Sequence, residues 1–216
     1  MRNGTAEVTG MVLKVMPVGE RDRRVTLLTF EQGKLSFFAR GAGKPGSPFM
    51  GVTRPFAYGR FTLFQGRDSY SLESAEIQNY FEPLTRDMVL TCYGSYFLEL
   101  ADYFAHDLAP EPRLLKLLYR TLLAIQKPQI PRDLTRRIFE LRSLVIDGAY
   151  DPEPPLRNAD RCRYTWHYIL SAPDDKLFTF TVTDEILKEL GDNVDASIAR
   201  YVDREMHSLN ILKAMM

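Results

Sequence analysis

The chain has 216 residues, 45% of them hydrophobic, which bounds it to one or two globular domains and excludes a disordered chain. Its 28 Lys and Arg balance its 28 Asp and Glu, but residues 1–80 hold 11 basic against 7 acidic side chains and residues 81–216 hold 17 against 21. A basic first segment joined to an acidic remainder points to a polyanion-binding module coupled to a protein-binding domain. No apolar run reaches the ~18 residues of a membrane span, and the start, MRNGTAEVTG, does not resemble a signal peptide. Two cysteines, Cys92 and Cys162, make no disulfide framework, so the expected setting is cytoplasmic.

Five short runs open the chain, at residues 8–17, 25–30, 35–40, 55–65 and 69–75. Each is rich in β-branched or aromatic residues and bounded by Gly, Pro or charged turns, so each is expected to be a strand. Gly33 supplies a positive φ for a hairpin between the second and third. Residues 39–48 contain three glycines and two prolines and are expected to form a mobile loop. Five such strands with one long connection predict a small closed barrel of the OB type, with an SH3-like barrel as the rival.

Helical periodicity takes over near Pro83. Val89, Tyr93, Tyr96, Phe97, Leu100 and Phe104 form one stripe, and Leu114, Leu115, Leu117, Leu118, Leu122 and Leu123 belong to a second helix that is apolar over much of its circumference. A third is expected over about 134–146, with Gly148 as its C-cap. Residues 151–163 are Pro-rich and charged, which predicts a loop, and 178–182 read as a short strand. Thr183 or Asp184 can N-cap a further helix, and the last helix is expected over about 194–215, broken from its predecessor near Gly191. The fold class is therefore α+β. The expected division is a barrel over 1–80, a helical domain over 81–150 and 183–216, and a small insert over 151–182.

The order of motifs resembles a known family. Gly10-Met11-Val12-Leu13-Lys14, Gly19-Glu20, Val25-Thr26-Leu27-Leu28-Thr29, Gly33-Lys34 and Ala39-Arg40-Gly41-Ala42 are similar to the amino-terminal domain of the bacterial recombination mediator family RecO. The resemblance continues at Pro55-Phe56, Ser74-Ala75-Glu76, Tyr96-Phe97-Leu98-Glu99-Leu100, Arg137-Ile138-Phe139-Glu140-Leu141 with Gly148 and Pro152, and Ser208-Leu209 with Leu212. It implies an OB-fold domain, a helical domain and a small third element. It also implies a DNA repair and recombination role: binding of single- and double-stranded DNA, annealing of complementary strands, and help in loading recombinase. The implied partners are RecR and the acidic C-terminal tail of the single-stranded DNA-binding protein. No catalysis and no cofactor are implied, and the location is cytoplasmic, with the nucleoid.

Two departures stand out. Many members carry a four-cysteine zinc site after the third helix, whereas this region offers only Cys162, with His167 nearby and Asp160 or Asp151 as poor substitutes. The insert is thus read as a zinc-finger-like element without its cysteines, held instead by prolines and by Tyr164, Trp166 and Tyr168. The loop after the third strand holds only Arg40 and Lys44, fewer cations than is usual for the family.

The expected DNA contacts are Arg21, Arg23, Arg24, Lys34, Arg40 and Lys44, with Arg54, Arg60 and Arg67 as weaker candidates. Phe37, Phe38, Phe49 and Tyr58 are available for base stacking, and of the adjacent pair Phe37 and Phe38 one must point inward. Tyr119, Arg120, Leu122 and Arg137 are the candidates for a peptide-tail pocket, which needs an apolar hole beside arginines. GAGKPGS lacks the spacing of a nucleotide-binding loop, and Pro45 follows its lysine. His106, His167 and His207 lie in no catalytic motif. The alternative reading is a non-catalytic protein-interaction scaffold with weak or lost DNA binding.

Overall fold

The computed structural model describes residues 4–154 and 159–215. Five strands, β1 (Gly4–Val18), β2 (Asp22–Thr29), β3 (Gly33–Ala39), β4 (Tyr58–Gln65) and β5 (Tyr70–Asn79), close in the order β1-β2-β3-β5-β4. All neighbours are antiparallel except β3 and β5, which pair in parallel only through Phe37 with Tyr70 and Phe38 with Ser71. This is the expected OB-type barrel. The long β1 closes it: Gly10 pairs with Thr29 of β2 and with Gly59 of β4, and a register shift between Val12 and Lys14 bends the strand.

Alternation builds the core. In β3, Leu35, Phe37 and Ala39 are buried while Lys34, Ser36 and Phe38 face outward. Phe37 meets Phe61 at 6.0 Å between ring centroids, among Val8, Val12, Val25, Leu27 and Leu63. The single turn α1 (Phe49–Val52) lays Phe49 and Val52 against this core.

Residues 39–48 were expected to be a mobile loop, but hydrogen bonds stitch them together. Gly43 N–H donates to the Arg21 carbonyl (2.8 Å), Gly41 N–H to Asp22 Oδ1 (2.7 Å), and Ser47 N–H to the Lys44 carbonyl (3.1 Å). Gly41 and Gly46 take the positive φ (70° and 77°) of tight turns.

The helices are α2 (Glu82–Arg86), α3 (Met88–Phe104), α4 (Pro112–Ala124), α5 (Arg132–Asp147), α6 (Ala159–Ser171), α7 (Asp184–Tyr201) and α8 (His207–Met215). The chain divides into two compact units, Met1–Arg86 with Ala101–Leu115, and Asp87–Leu100 with Lys116–Met216. In the first, residues 106–108 run alongside β3: Lys34 N–H donates to the His106 carbonyl, and Leu108 N–H to the Lys34 carbonyl (3.0 Å). In the second, Tyr96, Phe97, Leu118, Leu122, Ile138, Phe139, Trp166 and Val194 are buried, with Phe97 on Phe139 at 4.9 Å.

Gly148 ends α5 with φ 79°, and Thr183 caps α7 by accepting from Ile186 N–H, both as expected. Three expectations fail. Residues 159–163, read as loop, begin α6, while 155–158 lie outside the described residues. The run 178–182 forms no strand, because Phe178 is buried without a neighbouring strand to pair its backbone. Gly191 does not break a helix: α7 runs through it, and the break falls at 202–206. A Cβ on Gly191 would stand 3.2 Å from the Arg137 guanidinium, tight enough that the guanidinium would have to shift by a few tenths of an ångström. Among the described residues, no helix is long and apolar enough to cross a membrane.

Candidate nucleic-acid interface

The outer face of β2 and β3 and the two loops at its ends carry the candidate interface. On β2, alternation separates neighbours. Arg24 is exposed and pairs across the ladder with Phe38, whereas Arg23 turns toward α1. Arg23 donates through one guanidinium nitrogen to the Met50 carbonyl and to Thr53 Oγ1, both at 3.1 Å, and Thr53 is itself fully buried. Of the adjacent arginines, Arg23 therefore positions the 49–53 segment while Arg24 faces solvent.

Arg21, Arg40 and Lys44 are exposed. The bonds from Gly43 and Gly41 to Arg21 and Asp22 hold the β1–β2 turn against the loop after β3, so these three cations share one end of the barrel. Lys34 does not belong with them. Its ammonium donates to the Asp102 carbonyl (2.9 Å) and lies 3.6 Å from Asp102 Oδ1 and 3.9 Å from Asp107 Oδ1. Lys34 thus fastens residues 102–107 to β3, and its charge is answered within the protein. Among the weaker candidates, Arg60 and Arg67 are exposed, and Arg54 lies 5.0 Å over the Tyr80 ring.

Phe38 is half-buried on the outer face and Phe37 is in the core. Phe38, Arg24, Lys34 and Tyr70 line a groove of about 560 Å³ together with Arg67 and Asp68 of the β4–β5 turn and the Asp107-Leu108 pair. Local sequence carries no signal for that last pair: about seventy residues separate it from the strand it borders. Loops flanking the β2–β3 face are where barrels of this type bind oligonucleotides.

The peptide-tail candidates are dispersed in role. Leu122 is fully buried in the core, because α4 turns it inward, and it offers no surface. Arg137 is only 7% exposed and is committed to α7: its terminal nitrogens donate to Asp195 Oδ1 (2.6 Å) and Oδ2 (3.0 Å), and one also to Glu140 Oε2 (3.1 Å). Tyr119 and Arg120 are half-buried on α4. The fully buried Glu140 carboxylate also accepts from Arg136 Nε (2.8 Å) and Tyr96 Oη (2.6 Å). Burial works against the charge on Arg136 and Arg137, but their partners together outweigh it, Glu140 with Tyr96 for Arg136 and Glu140 with Asp195 and Asp133 for Arg137, and both stay firmly protonated. Burial, reinforced by Glu140, pushes the Tyr96 hydroxyl well above its ordinary range.

The residues near Cys162 do not fit the zinc site that the family resemblance implies. Cys162 is fully buried, and burial with the nearby Glu189 charge pushes its thiol up to about 11. His167 lies 3.2 Å from Glu153, and among the described residues no three His, Cys, Asp or Glu side chains gather as metal ligands. The Asp160 side chain lies outside the described residues. Trp166 holds the region from inside, donating through Nε1 to the Asp151 carbonyl (3.1 Å).

Residues 1–81 match the family model for the recombination protein O N terminal domain, and residues 85–153 that for its C terminal domain. A DNA repair protein RecO of Shouchella clausii is 37% identical over 71% of this chain and 58% of its own length. The RecO of Bacillus subtilis is 31% identical over 81% of this chain and 64% of its own length, so the match spans under two thirds of both relatives. The RecO of Acetivibrio thermocellus aligns over 97% of this chain and 96% of its own length at 23% identity. With the barrel and both domain models in agreement, this chain belongs to the RecO family.

Proposed function

We propose that this chain acts in DNA repair and recombination as a mediator that binds single- and double-stranded DNA and anneals complementary strands. In this reading the barrel of residues 1–80 is the DNA-binding part. Arg21, Arg24, Arg40 and Lys44 neutralise phosphates, and Phe38 offers a ring to unstacked bases. The observation that supports it most is the pinning of the two cationic turns beside the Phe38 face. Pre-ordered cations pay less entropy on binding than a mobile loop would. The relatives bear the name DNA repair protein RecO, which agrees with this role.

The helical part, residues 81–150 and 183–216, engages partners: RecR, and the acidic tail of the single-stranded DNA-binding protein, with Tyr119 and Arg120 as the half-exposed tail contacts on α4. The protein works without catalysis or cofactor, since duplex formation supplies the driving free energy, and it acts in the cytoplasm with the nucleoid. The second reading is a scaffold with weak DNA binding. It draws on the internal use of Arg23 and Lys34, which leaves fewer cations for phosphate.

The test is annealing of complementary strands precoated with single-stranded DNA-binding protein, by the intact chain and by the Arg40→Ala/Lys44→Ala variant. The variant is expected to anneal more slowly and to lower the dependence of log affinity on log salt by about 1.4 for a single strand. Absence of annealing by the wild type, with partner binding intact, would replace the mediator with the scaffold.

A further inference from the structure

The groove beside β3 has a wall that the barrel does not supply. Residues 106–108 pair with Lys34 and place Leu108 at its rim, 64% exposed and with φ 55°. A leucine in the left-handed region is disfavoured by its Cβ, and an exposed leucine gains little from packing. Neither local conformation nor the core accounts for this residue at this place. Such an outlier directs attention to what the side chain faces, which is the groove holding Phe38 and Tyr70.

Charges of both signs line the groove: Asp68 follows Arg67 in the β4–β5 turn, Asp107, with its side chain 83% exposed, sits beside Leu108 and near Lys34, and Arg24 stands on β2 across the ladder from Phe38. A phosphate running along the Leu108 side would meet the Asp107 carboxylate, whose neighbouring cation, Lys34, is also shared with Asp102. Phosphates are therefore favoured on the Arg24 side and bases on the Leu108 side. A base in a duplex has its faces covered by its neighbours, whereas a base in a single strand can enter an apolar slot face-on.

We infer that Leu108 forms the second wall of a base-binding slot opposite the Phe38 face, which makes this groove a site for single-stranded rather than duplex DNA. The inference rests on the DNA-binding reading above. It adds a contact from outside the barrel strands and a polarity for the bound strand, with backbone toward Arg24 and bases toward Leu108.

The experiment measures anisotropy of a labelled oligothymidine and of a duplex of equal length with the intact chain, its Leu108→Ala and Leu108→Gly variants, and Lys44→Ala. Glycine accepts φ 55° better than leucine, so Leu108→Gly is expected to keep or raise the melting temperature. Both Leu108 variants are expected to weaken single-strand binding about fivefold and to leave duplex binding unchanged. A stable protein that binds worse separates recognition from folding. Unchanged single-strand affinity in both Leu108 variants, with Lys44→Ala still weakening it, overturns the slot and leaves the DNA-binding reading standing. Equal losses on single strand and duplex overturn the single-strand preference. A wild type that binds neither probe overturns the DNA-binding reading and the slot together.

Discussion

Glu140 shows how one buried carboxylate organises its surroundings. It is fully buried, yet it accepts from Tyr96, Arg136 and Arg137, and both arginines continue to Asp195 on α7. A buried charge is tolerated only where its partners replace the lost hydration, and removal of one partner strands the others. Glu140→Gln keeps the shape but leaves two arginines under-compensated, so the second unit is expected to lose about 3–5 kcal/mol. Trp166, the single tryptophan and fully buried in that unit, reports its unfolding in urea by fluorescence. A loss below about 1 kcal/mol would show that the network is not what holds α5 to α7. The i, i+3 and i, i+4 spacing of Arg137 and Arg136 to Glu140 is legible in sequence, but the partnership with Asp195 is not. The same strand alternation that sorts Phe37 from Phe38 also sorts Arg23 from Arg24. The period of two is legible in the sequence and assigns the adjacent arginines to opposite faces of β2.

At the scale of elements, the β2–β3 hairpin joins local and distant demands at a single residue. Gly33 has φ 67°, as its turn requires, but a Cβ there would also fall 2.0 Å from the Ala109 carbonyl oxygen. Gly33→Ala therefore meets both the left-handed penalty and a backbone clash, and it is expected to cost at least about 2 kcal/mol. Because the clash lies with the segment that carries Leu108, urea unfolding followed by far-ultraviolet circular dichroism should be paired with single-strand binding, and both are expected to fall. A variant as stable as wild type would mean that residues 106–109 leave β3 readily. Turn chemistry made the hairpin readable from sequence, whereas the second constraint comes from a strand-like pairing of high sequence separation. Gly191 teaches the converse: a glycine read as a helix break is instead a seat for the Arg137 guanidinium.

At the scale of the molecule, the second unit carries groups that make its stability sensitive to alkali. Burial raises the Cys162 thiol from its ordinary 9.0 to about 11, and raises the Tyr93 and Tyr96 hydroxyls above 10.0, all in the second unit. Each of these groups loses its proton more easily once unfolded. Their contribution is complete below pH 9, starts to be lost above it as Cys162 ionises in the unfolded chain, and is lost further above pH 10 as the tyrosines follow. Urea midpoints read from Trp166 are expected to fall between pH 9 and 11, and Cys162→Ala with Tyr96→Phe is expected to flatten that fall. An unchanged slope in the double variant would assign the alkaline loss to other groups.

The sequence alone determined the element types of the barrel, the α+β class, the charge division and the family, because alternation, helical periodicity, turn residues and motif order are all local or ordered along the chain. It also showed that the chain has only two cysteines, Cys92 and Cys162. The tertiary structure alone decided which cations remain for a ligand. Arg23 and Lys34 are spent on the protein's own carbonyls and carboxylates, Arg137 on Asp195, while Arg21, Arg24, Arg40 and Lys44 stay exposed. Composition counts charges, but a charge is available to a partner only if no group brought near by folding has already answered it.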